Sequence, residues 1–321
     1  MINKKSKIFL AGHKGMVGSA ILRALKKKNY INIICKEKKT LDLLNQSKVN
    51  NFFKNNNIDT VIIAAAKVGG ILHNSLFPYE FLYENLMIQS NIINAAYNNN
   101  IRKIFFLGSS CIYPKDIKQP IKEEMLLSSY LEKTNESYAL AKIAGIKLCN
   151  SLNEKYNWDC RALMPTNLFG PNDNFDLKTS HVLPALIRKV YEAKKYSKNK
   201  VIIWGTGQVK REFLHVDDLA DYFLKIASIG KKRFKSISNK NCFINVGHGS
   251  DIKIIDLAKT ICKILDYNGK LVFDKSKPNG VKRKLLDITK LERLGIRKEI
   301  NLEKRIKETI NWYITNEKKF A

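Results

Sequence analysis

The first half of the chain alternates short apolar runs with longer segments of helical periodicity, and this rhythm limits the possible folds more than any other feature. Apolar runs predict strands at residues 7–11, 31–35, 60–65, 103–108 and 159–164. Helical patterns lie between them, at residues 16–28, 47–55, 78–98 and 138–156. Strands that alternate with helices are typical of βαβ units, in which a parallel sheet is covered on both faces. We therefore expect an α/β fold with a Rossmann-type, doubly wound parallel sheet.

The pattern changes after about residue 170 to helices, short strands and loops. Helices are predicted at residues 181–195, 216–229 and 254–265, and a strand at 201–204. The sequence has no internal repeat and no low-complexity linker, and 321 residues suit one large domain or two smaller ones. We expect a Rossmann domain over residues 1–170, to which some later segments return, and a smaller α/β domain over residues 171–321, packed closely against it.

Composition argues against several classes of protein. With 45% hydrophobic and 10% aromatic residues, the chain is too apolar to stay disordered. No run approaches the roughly 18 apolar residues of a membrane-spanning helix, and the first apolar run stops at Gly12, too early for a signal peptide. The six cysteines form no C-x-x-C pair and no metal-ligand spacing, so we expect no metal site and a reducing, cytoplasmic setting.

The net charge of +28 has two interpretations. A basic chain can bind nucleic acid, but the lysines here are scattered along the whole sequence beside many asparagines. The sequence contains no basic tail, no arginine-rich block and no basic stretch interleaved with aromatic residues. We therefore interpret the charge as a lysine-rich solvated surface that also attracts small anionic ligands, and we expect neither a nucleic-acid nor a membrane partner.

A glycine-rich loop follows the first predicted strand and opens the first predicted helix. It reads Gly12-His13-Lys14-Gly15-Met16-Val17-Gly18. The spacing G-x-x-G-x-x-G provides a tight turn, a backbone that a pyrophosphate can approach, and a close contact between helix and sheet. The N-terminus of the helix supplies N–H groups and a partial positive charge for the phosphates. Glycines alone often only make turns, but this strand–loop–helix context predicts a dinucleotide site.

The end of the second predicted strand indicates which dinucleotide is bound. An acidic residue there holds a ribose 2′-hydroxyl and favours NAD. Here the strand is followed by Lys36, Glu37 and Lys38, and Lys14 lies in the glycine loop. Lysines neutralise a 2′-phosphate, so we favour NADP. NAD stays open, because Glu37 is acidic and surface lysines are common throughout this chain.

A second constellation suits proton transfer. Tyr138 and Lys142 lie one helical turn apart on one face, so we expect the lysine charge to lower the pKa of the phenol and prepare it for acid–base work. The spacing alone is common, since a core tyrosine often has a surface lysine nearby. Ser109 and Ser110 strengthen the interpretation, because they follow the strand at 103–108 at the carboxyl edge, where open α/β sheets bind ligands.

Together these features resemble the extended short-chain dehydrogenase/reductase superfamily. Five segments are similar, more specifically, to the GDP-L-fucose synthase family: residues 12–18, 64–70, 108–114, 165–171 and 211–218. The likeness runs from about residue 7 to the C-terminus. It implies a homodimer and a two-step reaction, in which GDP-4-keto-6-deoxy-D-mannose is epimerised at C3 and C5 and its C4 ketone is then reduced with NADPH to give GDP-L-fucose.

The resemblance assigns a role to each reacting group. Epimerisation removes a proton beside the C4 ketone and returns one to the opposite face, and the family pattern gives these roles to Cys111 and His181. Without the resemblance, Cys111 is as readily a buried thiol and His181 a residue at a helix start. For reduction, Tyr138 donates the proton, Lys142 holds the nicotinamide ribose and lowers the tyrosine pKa, and Ser109 hydrogen-bonds the ketone oxygen.

The resemblance also implies the binding residues. NADPH is expected to contact Gly12, His13, Lys14, Gly15, Met16, Val17, Gly18, Lys38, Leu41, Asp42, Leu107, Gly108, Ser109, Ser110, Lys142, Pro165, Thr166, Asn167, Leu168 and His181. The GDP sugar is expected to contact Lys189, Trp204, Arg211 and Asn279. Two features depart from the family pattern: Asn279 stands where an aspartate is usual, and Lys14 and Lys38 stand where arginine is frequent, which keeps the charge but loses the bidentate fork.

Two other functions remain as alternatives at this point. The nearest is another NAD(P)-dependent nucleotide-sugar epimerase or dehydratase of the same superfamily, but such an enzyme is expected to lack the pair Cys111 and His181. A regulator or nucleic-acid binder that merely keeps the fold is the second, and the complete set of Ser109, Tyr138 and Lys142 argues against it. We expect the dimer contact to involve the helices at 78–98 and 138–156.

Overall fold

The computed structural model describes residues 2–277, 280–297 and 299–320. The strands are β1 (Ile8–Ala11), β2 (Ile33–Ile34), β3 (Thr60–Ile63), β4 (Lys103–Leu107), β5 (Asp159–Pro165), β6 (Asn167–Phe169), β7 (Lys200–Trp204), β8 (Lys210–His215), β9 (Phe243–Val246), β10 (Asp251–Lys253), β11 (Lys270–Asp274) and β12 (Arg283–Lys284). The helices are α1 (Met16–Lys27), α2 (Gln46–Lys54), α3 (Ile71–Leu76), α4 (Pro78–Asn98), α5 (Glu136–Tyr156), α6 (Val182–Lys195), α7 (Val216–Ser228), α8 (Lys231–Ile237), α9 (Ile254–Leu265), α10 (Thr289–Arg293) and α11 (Leu302–Asn316).

A six-stranded parallel sheet forms the centre of the fold. Its strand order is β2-β1-β3-β4-β5-β9, and every neighbouring pair is parallel. The chain runs outward from β1 to β2 and then crosses back to β3 on the other side, so the carboxyl ends of β1 and β3 flank the point where the winding reverses. Open α/β sheets bind ligands at such a point. The predicted Rossmann-type fold is confirmed.

Each face of this sheet is covered by a hydrophobic layer. On one face, Phe53 of α2, Ile92 of α4 and Ile146 of α5 pack in one cluster with sheet residues. On the other face, Ile21 of α1 and Phe223 of α7 belong to a second cluster. Strands buried on both sides must be apolar throughout, which is why β1, β3 and β4 read as unbroken apolar runs.

The second half of the chain adds two small sheets and a third hydrophobic cluster. Strands β10, β8 and β12 form one sheet, in which β8 also pairs with β6, and β7 pairs with β11 in the other. Leu186 of α6, Leu257 of α9 and Ile310 of α11 pack beneath them. Strand β9 leaves this half and joins the large sheet beside β5, with Ala162 opposite Phe243.

The predicted and observed elements agree best where the apolar pattern is strong. Helix α4 matches its predicted bounds, whereas β2 is confined to Ile33–Ile34. The strands β6 and β8 to β12 were not predicted, since they are short and several carry charged residues, as in Lys210–His215. Across the residues that the structure describes, no helix combines the length and the apolarity needed to cross a bilayer. All six cysteines carry free thiols.

Candidate active site

The glycine loop forms a tight turn directly after β1. Gly12 adopts a φ of +86°, in the left-handed region that disfavours other residues. A Cβ atom at Gly12 would lie 2.6 Å from the backbone nitrogen of Ala65, and one at Gly18 would collide with the carbonyl of Gly12. Both positions therefore require glycine, for the turn and for the close approach of α1 to the sheet.

The first turn of α1 fits a pyrophosphate. Gly15 occupies the N-cap position and supplies no side-chain cap, so the N–H groups at the start of the helix keep their capacity to donate. Their direction and the helix dipole favour an anion at this end. Met16 and Val17 pack partly against the core and hold the helix in place, while His13 is half-buried and Lys14 exposed at the rim.

The rim of the glycine loop carries the residues expected near a 2′-phosphate. Lys14 forms an ion pair with Glu37, with 2.6 Å between Nζ and Oε1, and both side chains are exposed. This contact lowers the pKa of Glu37 through the hydrogen bond and charge of Lys14. Lys38 is exposed next to it, Leu41 is buried beneath, and the Asp42 carboxylate accepts a hydrogen bond from the Leu44 N–H at 3.1 Å.

The predicted contacts after β4 lie at the same sheet edge. Leu107 and Ser110 are buried. The N–H of Gly108 donates to the Leu163 carbonyl at 2.9 Å, and a Cβ atom at Gly108 would collide with the side chain of Met164. The chain therefore passes close to β5 at this edge of the sheet.

A third group of predicted contacts follows from the end of β5. Pro165 ends β5, and Asn167 and Leu168 lie in β6. The Thr166 hydroxyl and the Asn167 amide both donate to the backbone carbonyl of Glu212, at 3.2 and 2.8 Å. These bonds attach the edge of the large sheet to β8 of the second half. The three segments thus follow the carboxyl ends of β1, β4 and β5 in one parallel sheet, the edge at which such sheets bind ligands.

Tyr138 lies within hydrogen-bond reach of Ser109. The N-terminal turn of α5 carries the phenol, and the turn after β4 carries the serine. Burial raises the pKa of Tyr138, the nearby Cys111 raises it further, and the hydrogen bond from Ser109 lowers it. The expectation that Lys142 lowers this pKa is not met, because burial dominates the shift and Lys142 is not among the groups that change the pKa of Tyr138. Ser109 also accepts a hydrogen bond from the Cys111 N–H at 3.2 Å.

Lys142 is almost completely buried below Tyr138. Its ammonium donates to the Leu107 carbonyl at 2.9 Å and lies 4.8 Å from the ring centre of Phe106 and 5.7 Å from that of Tyr138. No ion pair to Lys142 is found within the described ranges. Desolvation therefore lowers the pKa of Lys142 to about 7. Near neutral pH this group exchanges a proton instead of carrying a fixed charge.

Cys111 and His181 come from distant parts of the chain and share one neighbour, Lys284. The Lys284 Nζ atom lies 3.6 Å from the Cys111 Sγ atom. His181 precedes α6 as its N-cap residue and keeps contact with solvent. The protein around its imidazole lowers the pKa of His181 by desolvation, and the charge of Lys284 lowers it further. The two predicted epimerisation groups therefore share the Lys284 ammonium as a neighbour. The space bordered by Ser109, Tyr138 and these groups is called the cleft below.

The segment before His181 is fixed to the opposite wall of the cleft. The N–H of Gly70, the N-cap residue of α3, donates to the Thr179 carbonyl at 2.8 Å. A Cβ atom at Gly70 would lie 2.6 Å from the Ser180 carbonyl oxygen, so the two backbones are in close contact. This contact sets the position from which His181 enters the cleft.

The predicted substrate residues of the second half lie around an exposed indole. Trp204 ends β7, and the Nζ atoms of Lys189 and Lys277 lie 5.4 and 5.8 Å from its ring centre. Lys189 donates to the Ile202 carbonyl at 3.0 Å, and partial burial lowers its pKa. An aromatic surface with adjacent cations suits a flat, anionic ligand such as a nucleotide.

Arg211 lies on β8 between this cluster and the sheet edge. It is half-buried, and desolvation lowers its pKa. A Cβ atom at Gly280 would lie 3.1 Å from an Arg211 guanidinium nitrogen, so the loop before β12 passes over Arg211. Asn279, the fourth predicted substrate contact, lies outside the described residues.

Two functional positions were missed by sequence reasoning. Lys284 belongs to a run of basic residues in a lysine-rich chain, so nothing in its neighbourhood singled it out. Glu212 is fully buried, and its carboxylate accepts hydrogen bonds from the N–H groups of His248, Gly249 and Leu286, at 2.7, 2.7 and 3.0 Å. It holds β8 against the segment that carries Lys284. Only the buried position of an acidic residue reveals this role, and burial is not visible in the sequence.

The comparisons with known proteins agree with this geometry. The model of the NAD dependent epimerase/dehydratase family matches residues 8–237. GDP-L-fucose synthase of Escherichia coli (strain K12) is 48% identical over 317 residues, which cover 98% of this chain and 99% of that protein. The match includes both halves of the chain.

Solved structures give the same result. A GDP-6-OMe-4-keto-L-xylo-heptose reductase from C. jejuni aligns with a TM-score of 0.90 and 37% identity over 98% of this chain and 99% of its own. A GDP-L-fucose synthetase from Naegleria fowleri bound to NADP aligns with a TM-score of 0.85 and 27% identity, over 99% and 97% of the two chains. The chain belongs to the NAD dependent epimerase/dehydratase family and, within it, to the GDP-L-fucose synthases.

Proposed function

We propose that this protein converts GDP-4-keto-6-deoxy-D-mannose to GDP-L-fucose, by epimerisation at C3 and C5 followed by NADPH-dependent reduction of the C4 ketone. The observation that best supports this function is that the groups for ketone reduction and a group for epimerisation lie next to each other in one cleft. The hydroxyls of Ser109 and Tyr138 are paired for a ketone oxygen, and the thiol of Cys111 acts electrostatically on the same phenol. One pocket therefore has the groups for both steps.

Epimerisation begins with proton removal beside the ketone. The Cys111 sulfur takes the proton, and the electron pair moves into an enolate whose oxygen is held by Ser109 and Tyr138. His181 then returns a proton to the opposite face of the carbon. Its lowered pKa suits this role, because an imidazolium that is less stable in the cleft gives up its proton more readily. The same pair serves C3 and C5.

Reduction uses the buried end of the cleft. NADPH supplies the hydride for C4. Tyr138 supplies the proton for the alkoxide oxygen, and its raised pKa keeps the phenol protonated until that charge develops. Lys142, with a pKa of about 7, is placed below to replace the proton that Tyr138 gives away. Ser109 holds the oxygen during both steps.

The GDP part of the substrate is bound by the second half of the chain. Arg211 is suited to the diphosphate, because its planar fork binds phosphate in a bidentate manner. Trp204 offers an exposed aromatic surface beside Lys189. These groups support a GDP sugar, rather than a nucleic acid, as the anionic partner. Asn279 is proposed to hydrogen-bond the ribose or the guanine edge.

A second candidate is reduction of a related GDP-4-keto sugar without epimerisation. It is favoured by the similarity to a solved GDP-4-keto-heptose reductase. The neighbouring positions of Cys111 and His181 around Lys284 favour the two-step reaction instead. The two candidates differ in one observable, which is exchange of the protons at C3 and C5 with solvent.

The experiment combines both readouts. Purified protein is incubated with NADPH and GDP-4-keto-6-deoxymannose in D₂O, the absorbance of NADPH is followed, and the product is identified by NMR. We expect NADPH consumption and a fucose product with deuterium at C3 and C5. Absence of NADPH consumption would reject the reductase, and reduction without deuterium would favour the second candidate.

The Cys111→Ser variant separates the two steps. We expect deuterium incorporation at C3 and C5 to fall by about 10²–10³-fold, because a hydroxyl at neutral pH is a far weaker base than a thiolate. Reduction of the ketone is expected to be partly retained, since Ser109, Tyr138 and Lys142 stay in place. Unchanged deuterium incorporation would contradict the assignment of Cys111.

We propose a homodimer that contacts through α4 and α5. Both helices expose large apolar side chains: Tyr79, Tyr83, Tyr97, Leu140, Leu148 and Tyr156. Light scattering after size exclusion tests this, and Tyr83→Glu together with Leu148→Glu is expected to give monomers.

We also propose that residues 1–170, with the later strand β9, form the NADP-binding domain, and that residues 171–321 mainly form the substrate domain.

The compartment proposed for this protein is the cytoplasm. The six free thiols support a reducing environment, in which unpaired cysteines persist. Three of them, Cys149, Cys160 and Cys242, are buried in the core of the large sheet. Fractionation of cells followed by detection of the native protein tests this assignment.

A further inference from the structure

Lys284 is a cation whose ammonium contacts a thiol. The Nζ atom lies 3.6 Å from the Cys111 Sγ atom, inside a small cavity that Tyr113, Glu132 and Arg283 also line. In the part of the chain that the structure describes, no carboxylate oxygen lies within 4 Å of this ammonium. Its charge is therefore not neutralised by an ion pair and acts on the sulfur directly.

The segment that carries Lys284 is fixed on one side by β8. Strand β12 runs parallel to β8, with Lys284 opposite Arg211. The neighbouring Arg283 side chain pairs with Asp251, with 2.5 Å between Nε and Oδ2. The Leu286 N–H donates to the buried carboxylate of Glu212 at 3.0 Å. These contacts prevent the strand from sliding relative to β8.

The same segment is fixed on the other side by the loop that follows Cys111. The Gln119 side chain accepts a hydrogen bond from the Leu285 N–H at 2.8 Å, and the Ile121 N–H donates to the Leu285 carbonyl at 2.8 Å. The two chain segments that carry the thiol and the ammonium are thus joined by backbone bonds. The backbone positions from which Lys284 and Cys111 approach each other are therefore fixed by the fold.

Lys284 also acts on the second epimerisation group. Its charge is the electrostatic contribution that opposes protonation of His181. Glu132 also lines the cavity and accepts a hydrogen bond from Thr134, but among the described residues it forms no ion pair with Lys284. Burial raises the pKa of Tyr138, so its phenol is protonated and adds no negative charge at neutral pH. The Lys284 ammonium therefore contacts the Cys111 thiol and acts electrostatically on the His181 imidazole.

We propose that Lys284 is a positioning residue of epimerisation: its ammonium, held 3.6 Å from the Cys111 sulfur, makes Cys111 the group that removes the substrate proton and leaves His181 to return one to the opposite face. This inference rests on the proposed function. A cation next to a cysteine favours the thiolate, which is the nucleophilic and basic form. The same cation repels a positive imidazolium.

Each epimerisation removes one proton from the carbon and returns one to it. The thiolate breaks the C–H bond and becomes a thiol, and the electron pair of that bond enters the enolate. The imidazolium gives its N–H proton to the opposite face of the same carbon and becomes neutral. Before the second carbon reacts, the thiol releases its proton to water and the imidazole takes one from water, so the site returns to its starting state.

Thiol reactivity in the absence of substrate tests the contact. Wild-type protein and Lys284→Met are treated with iodoacetamide at pH 7, and alkylation of Cys111 is measured by mass spectrometry of its peptide, which separates it from the five other cysteines. We expect Cys111 to react about tenfold more slowly in Lys284→Met, the change that loss of one close opposite charge produces. Lys284→Arg is expected to restore most of the rate.

A matched control lies two residues before Lys284. Lys282 is exposed, and Lys282→Met removes the same formal charge without changing the contact with the thiol. We therefore expect Cys111 to be alkylated at the wild-type rate in this variant. Lys284→Gln serves as a second neutral variant that keeps a polar side chain of similar reach. Circular dichroism and thermal unfolding establish that each variant is folded before its rate is compared.

The outcomes separate this inference from the proposed function. Equal alkylation rates in folded wild type, Lys284→Met and Lys284→Gln would overturn the inference, and a raised KM for the GDP sugar in these variants would then show that Lys284 binds only phosphate. Slower alkylation together with at least tenfold lower deuterium incorporation at C3 and C5 supports it. Failure of the wild-type protein to turn over the GDP-keto sugar would overturn the proposed function, and the alkylation rates would still measure the contact.

Discussion

The two walls of the cleft use lysine in opposite ways. The sheet-edge wall, formed by Ser109, Tyr138 and Lys142, buries its cation without a carboxylate partner among the described residues, and the pKa of Lys142 falls to about 7. The cationic wall, formed by Lys189, Arg211 and Lys277, keeps its charged groups half-buried or exposed. Burial converts a lysine into a proton carrier, whereas contact with water preserves it as an anchor for anions. The same residue type thus serves chemistry on one wall and binding on the other.

Replacing the phenol of the sheet-edge wall tests the chemical half of this comparison. In Tyr138→Phe the proton donor is lost while the ring and its contact with Phe81 remain. We expect the kcat for ketone reduction to fall by about 10³-fold, within the usual range for a general acid. Binding of NADPH, measured by fluorescence, should change little. A fall in NADPH affinity with a preserved kcat would show that this wall binds rather than reacts.

The buried lysine makes a pH-dependent contribution to stability. The pKa of Lys142 is about 7 in the folded protein and near 10.5 when the chain is unfolded. Between these values the unfolded state binds the extra proton, so the free energy of unfolding rises as the pH increases from 7 towards 10.5. Below pH 7 the folded protein must bury the charge, and its cost is fully present.

Lys142→Met removes this dependence. We expect the variant to exceed the wild type in free energy of unfolding by roughly 2–5 kcal/mol at pH 6, and the difference to shrink towards pH 10, from the scale of 1.36 kcal/mol for each pKa unit. Denaturant unfolding without ligands at both pH values gives the measurement. Lys147→Met, an exposed site on the same helix, is the control and should follow the wild type. A difference that is constant with pH would argue against a discharged lysine.

The two walls also differ in how far the sequence predicts them. The sheet-edge wall was predicted, because Tyr138 and Lys142 are four residues apart on one helix and Ser109 directly follows a strong apolar strand. Local geometry fixes such positions once the helix and the strand are recognised. The fold was predictable for the same reason, since β1, β3 and β4 are buried on both faces and read as apolar runs.

The cationic wall could not be predicted from the spacing of its residues in the sequence. Its members come from α6, from β8 and from the loop after β11, and only tertiary packing brings Lys189 and Lys277 to Trp204 and Arg211 to Gly280. The contact between Lys284 of β12 and Cys111 is likewise made only by tertiary packing. The predicted roles of Lys189, Trp204 and Arg211 came from the resemblance to a family rather than from a local pattern. The effect of burial was missed as well: the pKa of Tyr138 is raised and not lowered, because desolvation depends on what surrounds the phenol in space.

A substitution on the cationic wall is expected to affect binding and not chemistry. Arg211→Lys keeps the charge and loses the bidentate fork, so we expect the KM for the GDP sugar to rise about tenfold with kcat within about twofold of the wild type. Lys253→Gln, at an exposed position on the neighbouring β10, controls for loss of surface charge and should leave KM unchanged. A tenfold loss in kcat from Arg211→Lys would show that the two walls are not separate in function.

The smallest expected effect concerns a third kind of cation, which is fully at the surface. Lys14 is paired with Glu37 across 2.6 Å, and both side chains are exposed, so the 2′-phosphate of NADPH must compete with a carboxylate for this lysine. Glu37→Gln removes that competitor and its repulsion. Because exposed pairs are weak, we expect the KM for NADPH to fall only about two- to fivefold, and less in high salt. Lys14→Gln should shift the KM in the opposite direction, and the KM for NADH, which has no 2′-phosphate, should not improve in either variant. If Glu37→Gln instead raised the KM for NADPH, the carboxylate would be a ligand of the cofactor ribose, and the lysines at this rim would not be what selects NADPH.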